Sequence, residues 1–571
     1  MLNSVIILVL SFLTLAIFPI TAVGQQPSSV PPPGNDTGPD SSSPPSTTST
    51  PTSFDQVIDR IVERERFFVA QMRHFHPLVE TYIQNLKGKQ EKAVPVSDQY
   101  FLGRLQIANG AEDLAFKNEP GFGSGFLSKL TGLYRMKFLP LGFAQMVLLD
   151  DNFQRQNYDF EFVRREFLGE VRCLVIDVRP RQESRAGHFI GRIWVEDENY
   201  NIVRFDGTYS AERRSEHFLH FDSWRLNMHP GVWLPAYIYS EESNASSRGG
   251  HQLHFKAQTR LWGYDLHRLR NNQEFTQIVV DAPGGVKDQS VGGQDASPIE
   301  SHRKWEHQAE DNVLERLQNI GLLAPPGDVD KVLMTVVNNL IVTNNLGIEP
   351  EVRARVLLTT PLEAFTLGHT IVVSRGLLDV LPDEASLAAV LADELAHITL
   401  GHSLDTKLAF NDRMFFPDED TFERFDFRRS PADEEAADAK AMDLLAKSPY
   451  KDKLGDAGLF LKQLQLEAPV LKNLIRPHLG DRLAAGKATR MSALINSAPQ
   501  VEPNKPDQIA ALPLGGRIKV DPWSDQIELT KTAPEVLTSP SEKMPFEVTP
   551  FFPFLKRSSS DEPTTAASPV H

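Results

Sequence analysis

The residues with the clearest capacity for chemistry lie in one short stretch, residues 390–402, which reads VLADELAHITLGH. In the zinc-binding pattern HExxH, two histidines one helical turn apart present their imidazoles to one metal ion, and the glutamate between them activates the metal-bound water. Here His397 keeps the second histidine and Glu394 keeps the glutamate, but Asp393 replaces the first histidine. The stretch therefore predicts a metal-dependent hydrolytic site whose ligand set is altered.

A helix must position these side chains, and the local pattern predicts one over residues 383–403. Pro382 and Asp383 provide a start signal, and an apolar stripe follows at helical spacing. Asp393 and His397 then lie one turn apart on the same face. Because a carboxylate oxygen binds zinc at about 2.0–2.2 Å, Asp393 stays a candidate metal ligand beside His397.

Three segments in this order resemble the HtpX and CAAX-prenyl-protease family of zinc metallopeptidases: residues 364–378, residues 383–403, and residues 434–450, which begin EEAAD. The resemblance implies a gluzincin domain that binds Zn2+ and hydrolyses peptide bonds in a polypeptide substrate. Its ligands would be two histidines of the first helix and a glutamate of the second. It assigns the general base to Glu394 and one metal ligand to His397.

The remaining two ligand positions depart from the family pattern. Asp393 stands in the first histidine position, and counting back from Asp438 puts Ala436, which has no donor atom, in the glutamate position. Glu435, one residue before Ala436, is the candidate carboxylate ligand from this helix. It is rotated by about 100° around the helix axis relative to position 436, so it needs a shift in register to reach the metal. Two hypotheses follow: a zinc endopeptidase, or a non-catalytic pseudopeptidase that binds unfolded or lipidated envelope proteins.

Other side chains are weaker candidates for chemistry. His369 and His478 are possible substitute ligands, with surface exposure as the alternative for both. His402, five residues beyond His397, is predicted to be a structural residue at the helix end. Cys173 is the only cysteine, which excludes an intramolecular disulfide and a CxxC site, and its apolar strand predicts an unreactive thiol.

Composition divides the 571 residues into six segments. An apolar run at residues 5–18, followed by small residues, predicts a cleaved secretory signal peptide, with an uncleaved anchor as the alternative. The predicted organisation is a signal peptide (1–24), a disordered linker rich in Pro, Ser and Thr (25–53), a β-rich domain (54–281), a linker (282–300), a metallopeptidase-like domain (301–496) and a largely disordered Pro-rich tail (497–571). We therefore expect a periplasmic or secreted protein with no transmembrane span after cleavage.

The β-rich domain is predicted to open with a helical stretch at residues 55–86. Four strand patterns follow, at 189–195, 202–205, 217–221 and 233–238. Strands without intervening helices predict an antiparallel curved sheet, so the expected fold class is α+β multidomain. The patterns at residues 191–204 and 233–235 resemble the LolA and LolB type of lipoprotein-sorting proteins. That resemblance implies a concave surface for an acyl chain or lipoprotein; the alternative is that the aromatic residues fill a core.

The formal net charge of −16 argues against a nucleic-acid partner, because phosphate binding needs clustered Lys and Arg. The expected partner is a polypeptide, as substrate or as client. In the tail, an aromatic cluster at residues 550–555 is expected either to dock on a groove or to act as a local anchor packed against one domain.

Overall fold

The structure is a computed structural model that describes residues 51, 53–88, 93–106, 112–115, 144–149, 153–181, 188–209, 217–244, 252–264, 298–402, 427, 429–475, 479–485, 488–499, 518–520, 527–529, 548 and 555–558. The predicted signal peptide lies outside these residues. Among the described residues, no helix combines the length and the apolar character that a membrane crossing requires.

A helix and a large antiparallel sheet make up the described N-terminal half. Helix α1 (Phe54–Met72) begins at Ser53, whose side chain accepts a hydrogen bond from the Gln56 N–H. The strands are β1 (Leu78–Lys87), β2 (Val94–Gln106), β3 (Glu112–Ala115), β4 (Tyr158–Leu168), β5 (Val171–Pro180), β6 (Phe189–Glu196), β7 (Ile202–Tyr209), β8 (His217–His229), β9 (Val232–Asn244) and β10 (Gln252–Trp262). They form a ten-stranded sheet in the order β3-β2-β1-β10-β9-β8-β7-β6-β5-β4 within the described ranges.

The predicted helix over residues 55–86 is wrong beyond Met72, because residues 78–87 form strand β1. The first seven residues of β1 are all buried. A strand that is covered on both faces shows no alternation of apolar and polar residues, so its period of two is hidden in the sequence. The four predicted strand patterns, in contrast, coincide with parts of β6, β7, β8 and β9.

Helix α1 covers one face of this sheet. Ile58 and Ile61 of the helix share a buried apolar core with side chains such as Phe205 and Phe221. A buried ion pair between Glu65 and Arg225 of β8 also joins the helix to the sheet. The apolar side chains on this face are therefore buried in a core beneath α1.

The described C-terminal half is mainly helical. Its helices are α2 (Pro298–Asn319), α3 (Asp328–Thr343), α4 (Arg375–Val380), α5 (Glu384–Leu400), α6 (Pro431–Ala446), α7 (Leu454–Glu467), α8 (Lys472–Ile475) and α9 (Ser492–Ser497). Its strands are β11 (Arg353–Leu357), β12 (Glu363–Leu367), β13 (Thr370–Ser374), β14 (Asp481–Arg482), β15 (Ala484–Ala485), β16 (Ala488–Thr489), β17 (Ile518–Val520) and β18 (Ile527–Leu529). Strands β11, β13, β12 and β14 form one small sheet in that order. The predicted α+β class, with an antiparallel N-terminal sheet and a mainly helical second part that contains a small sheet, is confirmed.

The large sheet packs against the helical half through hydrogen bonds to buried carboxylates. Glu80 of β1 accepts the Thr360 N–H at 2.6 Å. Asp98 of β2 accepts the N–H groups of Asn473 at 3.0 Å and Leu474 at 2.9 Å, in helix α8. Apolar residues of both halves also belong to one buried core.

Part of the C-terminal tail lies on the large sheet. Leu555 is fully buried, and its carbonyl accepts the Glu170 N–H at 2.9 Å. Arg557 pairs with Glu198 at 3.0 Å. Residues 550–554 of the predicted aromatic cluster lie outside the described residues, so Leu555 alone supports the local-anchor interpretation.

Candidate functional site

Helix α5 carries three of the predicted site residues and is fixed at both ends. Asp383 Oδ1 accepts the Ser386 N–H at 2.7 Å, which caps the first turn. Within the helix Asp393, Glu394 and His397 are nearly inaccessible, with 4%, 2% and 0% of their surfaces exposed. The predicted helix therefore forms, and it holds ionisable side chains in a buried place where each needs a partner.

Helix α6 brings two further carboxylates to the same place. Ser430 caps this helix by accepting the Asp433 N–H, and Glu434 and Asp438 lie one turn apart. Glu435 and Ala436, in contrast, are exposed. The carboxylate that reaches the site is thus Glu434 and not Glu435 as predicted. Glu434 lies four residues before Asp438, so both side chains are on the face of α6 that is turned toward α5.

The guanidinium of Arg490 lies where these side chains converge. Its Nη2 atom lies 2.8 Å from Asp393 Oδ2 and 3.1 Å from His397 Nε2. Its Nη1 atom forms an ion pair with Glu434, and its Nε atom lies 3.4 Å from Asp438 Oδ1. One side chain therefore uses all three of its nitrogen atoms to join helices α5 and α6.

The contact with Arg490 defines the protonation of His397. A guanidinium only donates hydrogen bonds, so His397 Nε2 accepts and the proton of the neutral ring is assigned to Nδ1. That Nδ1 atom lies 2.9 Å from His402 Nδ1. Burial, together with the positive charges of Arg429 and Arg490, lowers the pKa of His397 to about 2. The imidazole is therefore neutral at physiological pH.

The helix end places His402 beside His397. Gly401 has a left-handed backbone (φ 70°), and the His402 N–H donates to the His397 carbonyl at 3.0 Å. Arg429 donates to the His402 carbonyl at 2.6 Å and to the Thr366 carbonyl at 3.1 Å. The interpretation of His402 as a helix-end residue agrees with this geometry, although its ring also contacts a site residue.

Arg490 itself is held by the turn between β16 and α9. Its N–H donates to the Leu483 carbonyl at 3.2 Å. The next residue, Met491, is buried and left-handed (φ 58°), a conformation that a residue with a side chain adopts at a cost of about 1–3 kcal/mol. Burial alone would lower the pKa of Arg490, but the charges of Asp393 and Glu434 raise it well above its ordinary value. The guanidinium is therefore a permanent cation.

The arrangement does not fit a zinc ion. Asp393, His397 and Glu434 direct their donor atoms at Arg490, whose guanidinium stands at the point where a shared metal would bind. Within the described ranges, no group of three or more His, Cys, Asp or Glu side chains is arranged to hold a metal. The positive group that these side chains contact is therefore a guanidinium, which disagrees with the predicted zinc site.

The other sequence candidates lie apart from this cluster or outside the described residues. His369 occupies the turn between β12 and β13, where its carbonyl accepts the Arg353 N–H at 2.8 Å. His478 lies outside the described residues. Cys173 is buried in β5, and burial raises its pKa to about 12. The sequence patterns do not predict Arg490 or Glu434 as site residues. For Glu434 a signal exists, which is its spacing of four residues from Asp438.

Residues 329–414 match the family model of peptidase family M48, which spans helices α3 to α5 and confirms the predicted metallopeptidase resemblance for this segment. Three solved structures share low similarity with the chain. A LolA superfamily protein from Nitrosomonas europaea is 12% identical, with 37% of this chain and 91% of that chain covered and a TM-score of 0.22. A DUF1329 family protein from Desulfovibrio piger is 9% identical, with 37% and 93% covered and a TM-score of 0.21. The Pseudomonas aeruginosa MucA/MucB complex gives 9% identity, 36% and 93% coverage and a TM-score of 0.12. No curated protein matches the sequence.

Proposed function

We propose that this chain is an exported pseudopeptidase, a peptidase-type protein that binds a polypeptide client without hydrolysing it. The observation that carries the proposal is the contact of one guanidinium with Asp393, His397 and Glu434. The support for export is the predicted signal peptide at residues 1–24. The support for a polypeptide client is the match of residues 329–414 to a peptidase family.

A guanidinium does not replace the chemistry that zinc supplies to such a site, which is a Lewis acid that lowers the pKa of a bound water. Arg490 has five N–H donors and no acceptor site, so it can hold an anion or donate a hydrogen bond to a water oxygen, but it does not coordinate that oxygen as a Lewis acid does. Glu394 lies close enough to Arg490 for its charge to help raise the pKa of that guanidinium. The residue in the general-base position of the family pattern therefore interacts with a fixed cation.

The small sheet beside the site offers a way to bind extended polypeptide. Residues Asp481–Arg482 of the chain pair with β12 in antiparallel register, Glu363 opposite Arg482 and Ala364 opposite Asp481. An extended segment that adds to a sheet edge gains main-chain hydrogen bonds whatever its sequence. We propose that a client binds this edge when the chain's own segment leaves it.

An acyl chain or lipidated client at the large sheet is a less favoured partner. Helix α1 already buries the apolar face that would receive such a chain, with Ile58 and Ile61 inserted into the core. A lipid would have to displace that helix. We therefore propose that the client is recognised as polypeptide.

The test is metal analysis of the purified full chain, paired with a cleavage assay on unfolded casein with and without added zinc. We expect zinc far below one ion per chain and the same background cleavage for the wild type and for Glu394→Gln. Binding of a fluorescein-labelled unfolded protein should raise fluorescence anisotropy. One zinc per chain, together with cleavage that disappears in Glu394→Gln, would end the proposal.

A further inference from the structure

Strand β4 forms one end of the large sheet and has an open edge. Among the described strands it is hydrogen-bonded to β5 alone. Residues 161–165, in the middle of this 11-residue strand, are all exposed. An edge strand presents a row of backbone N–H and C=O groups with which another strand can pair, so a long exposed edge is a surface that can receive one.

Large apolar side chains also lie on this edge. Phe162, Val163 and Phe167 are 47%, 37% and 66% exposed. Phe54 of helix α1 is itself exposed and lies edge-on to Phe162, with the two ring centroids 6.4 Å apart. Scattered exposed apolar residues are ordinary, but a cluster of them on an open edge indicates contact with another molecule.

A bulge in β4 determines which of its charged side chains share a face. Glu161 pairs with Asp177 of β5 and Arg164 pairs with Val175, while Val163 between them has no partner in β5. Asp177 and Val175 are two residues apart and therefore point to the same face of the sheet. Glu161 and Arg164 consequently share that face, whereas a strand without a bulge would put residues three apart on opposite faces.

This arrangement makes the edge complementary to itself. When two copies of β4 lie antiparallel about a two-fold axis between Phe162 and Val163, Glu161 of each copy lies opposite Arg164 of the other, and the contact occurs twice. Phe162 of each copy then lies opposite Val163 of the other, which covers part of the exposed apolar surface. Charges of a single sign along the edge would repel a second copy, whereas opposite charges on either side of the axis attract it.

The neighbouring carboxylates are compatible with this register. Asp159 falls opposite Glu166, but each of them already has an arginine partner in its own chain. Asp159 lies 2.9 Å from Arg181, and Glu166 lies 2.6 Å from Arg164. The like charges of this pair are therefore compensated before a second copy binds.

We propose that β4 is a dimerisation surface whose partner is β4 of a second copy of this chain. The two ten-stranded sheets then join across the axis into one continuous sheet. The proposal is independent of the proposed function, because neither the cluster around Arg490 nor the edge of β12 takes part in the contact.

The experiment measures self-association of the purified full chain by sedimentation velocity. The wild type should dimerise with a dissociation constant of about 1–50 µM, as expected for a small interface. Glu161→Arg and Arg164→Glu each create two like-charge contacts beside the axis, so each should raise that constant by roughly 5–100-fold. An equimolar mixture of the two variants should dimerise with a constant near that of the wild type, because opposite charges face each other again in the heterodimer.

Asp311→Arg is the matched control. It makes the same change of charge as Glu161→Arg, but at an exposed position of helix α2, where Asp311 lies 2.9 Å from Arg353. The dissociation constant should therefore not change. All of these substitutions lie at the surface, so the melting temperature of the monomer should stay the same, which shows that a loss of dimer is not a loss of fold.

Three results would overturn the proposal. The first is a wild type that stays monomeric at about 200 µM. The second is a dimer that neither β4 substitution weakens, since its contact would then lie on another surface. The third is a mixture of Glu161→Arg and Arg164→Glu that stays monomeric. A monomeric wild type whose binding of unfolded casein is lost in Glu161→Arg would identify a polypeptide as the occupant of the edge in place of a second copy.

Discussion

Replacing Glu65 by alanine is expected to destabilise the protein by about 3–4 kcal/mol, because it leaves the Arg225 guanidinium buried without its counter-charge. The two side chains are 3% and 1% exposed, and two nitrogen–oxygen contacts of 2.7 Å join them. Breaking a buried pair by removing one partner costs about 3–5 kcal/mol. We place the loss in the lower part of that range because Arg225 keeps a hydrogen bond to the Ile202 carbonyl and a contact with the Phe68 ring.

Guanidinium chloride unfolding, followed by tryptophan fluorescence, measures this loss. The double substitution Glu65→Met and Arg225→Met should cost much less than Glu65→Ala alone, since it removes both buried charges and refills the space. Asp59→Ala on the same helix is the matched control. Its ion pair with Arg155 lies at the surface, so the unfolding midpoint should not change.

The same variant reports on lipid binding, because weakening this pair loosens α1 over the apolar face of the sheet. A fluorescent fatty acid should bind Glu65→Ala more tightly than the wild type. A loss of less than about 1 kcal/mol in Glu65→Ala, or a double substitution as costly as the single one, would refute the reasoning about an uncompensated charge. Tight fatty-acid binding by the wild type would show that α1 leaves the sheet readily.

Three further predictions concern other parts of the fold. Because burial raises the pKa of Cys173 to about 12, the thiol should react with a disulfide reagent at pH 8 only after unfolding, and fast labelling of the native chain would contradict this. A Cβ at Gly376 would lie 1.7 Å from the Thr360 carbonyl oxygen, so Gly376→Ala should lower the free energy of unfolding by about 1–3 kcal/mol. Thermal melting measures this loss, and an unchanged melting temperature would contradict the close approach of these two backbone segments. Leu555→Ala should release the tail from Glu170, seen as faster limited proteolysis near the C-terminus, and equal proteolysis rates would contradict the anchor.

The sequence predicts what local signals determine. Helix α5 follows from a capping aspartate, an apolar stripe and Gly401, so the placement of Glu394 and His397 follows as well. Strand β1 escapes prediction because both of its faces are covered, which removes the alternation that marks a half-buried strand. Counting along the motif points to Ala436 and its neighbour Glu435, whereas the helical spacing of four from Asp438 points to Glu434, which contacts Arg490.

Arg490 has no local signal at all. Helices α6, α7 and α8 separate it from Asp393 along the chain, and the sequence offers 59 Lys and Arg residues as possible partners. The carboxylates on α5 and α6 indicate that some cation is needed, since buried acidic groups are paired or neutralised. Which residue supplies it is decided by long-range packing, and a pattern read along the chain does not contain that information.

The charge of the site supports the proposed pseudopeptidase function. A site with zinc, two neutral histidines and one glutamate ligand has a positive centre before its general base is counted. In this chain Asp393 stands in place of a neutral histidine, which adds one negative charge to the site. The guanidinium of Arg490 carries one positive charge where zinc would carry two, and Arg429 offsets only part of this combined change. Peptide hydrolysis develops negative charge on the carbonyl oxygen, which a catalytic site must stabilise. With Asp393, Glu394 and Glu434 around a single guanidinium, that oxygen would meet excess negative charge, and this is a second reason for proposing that the site does not cut peptides.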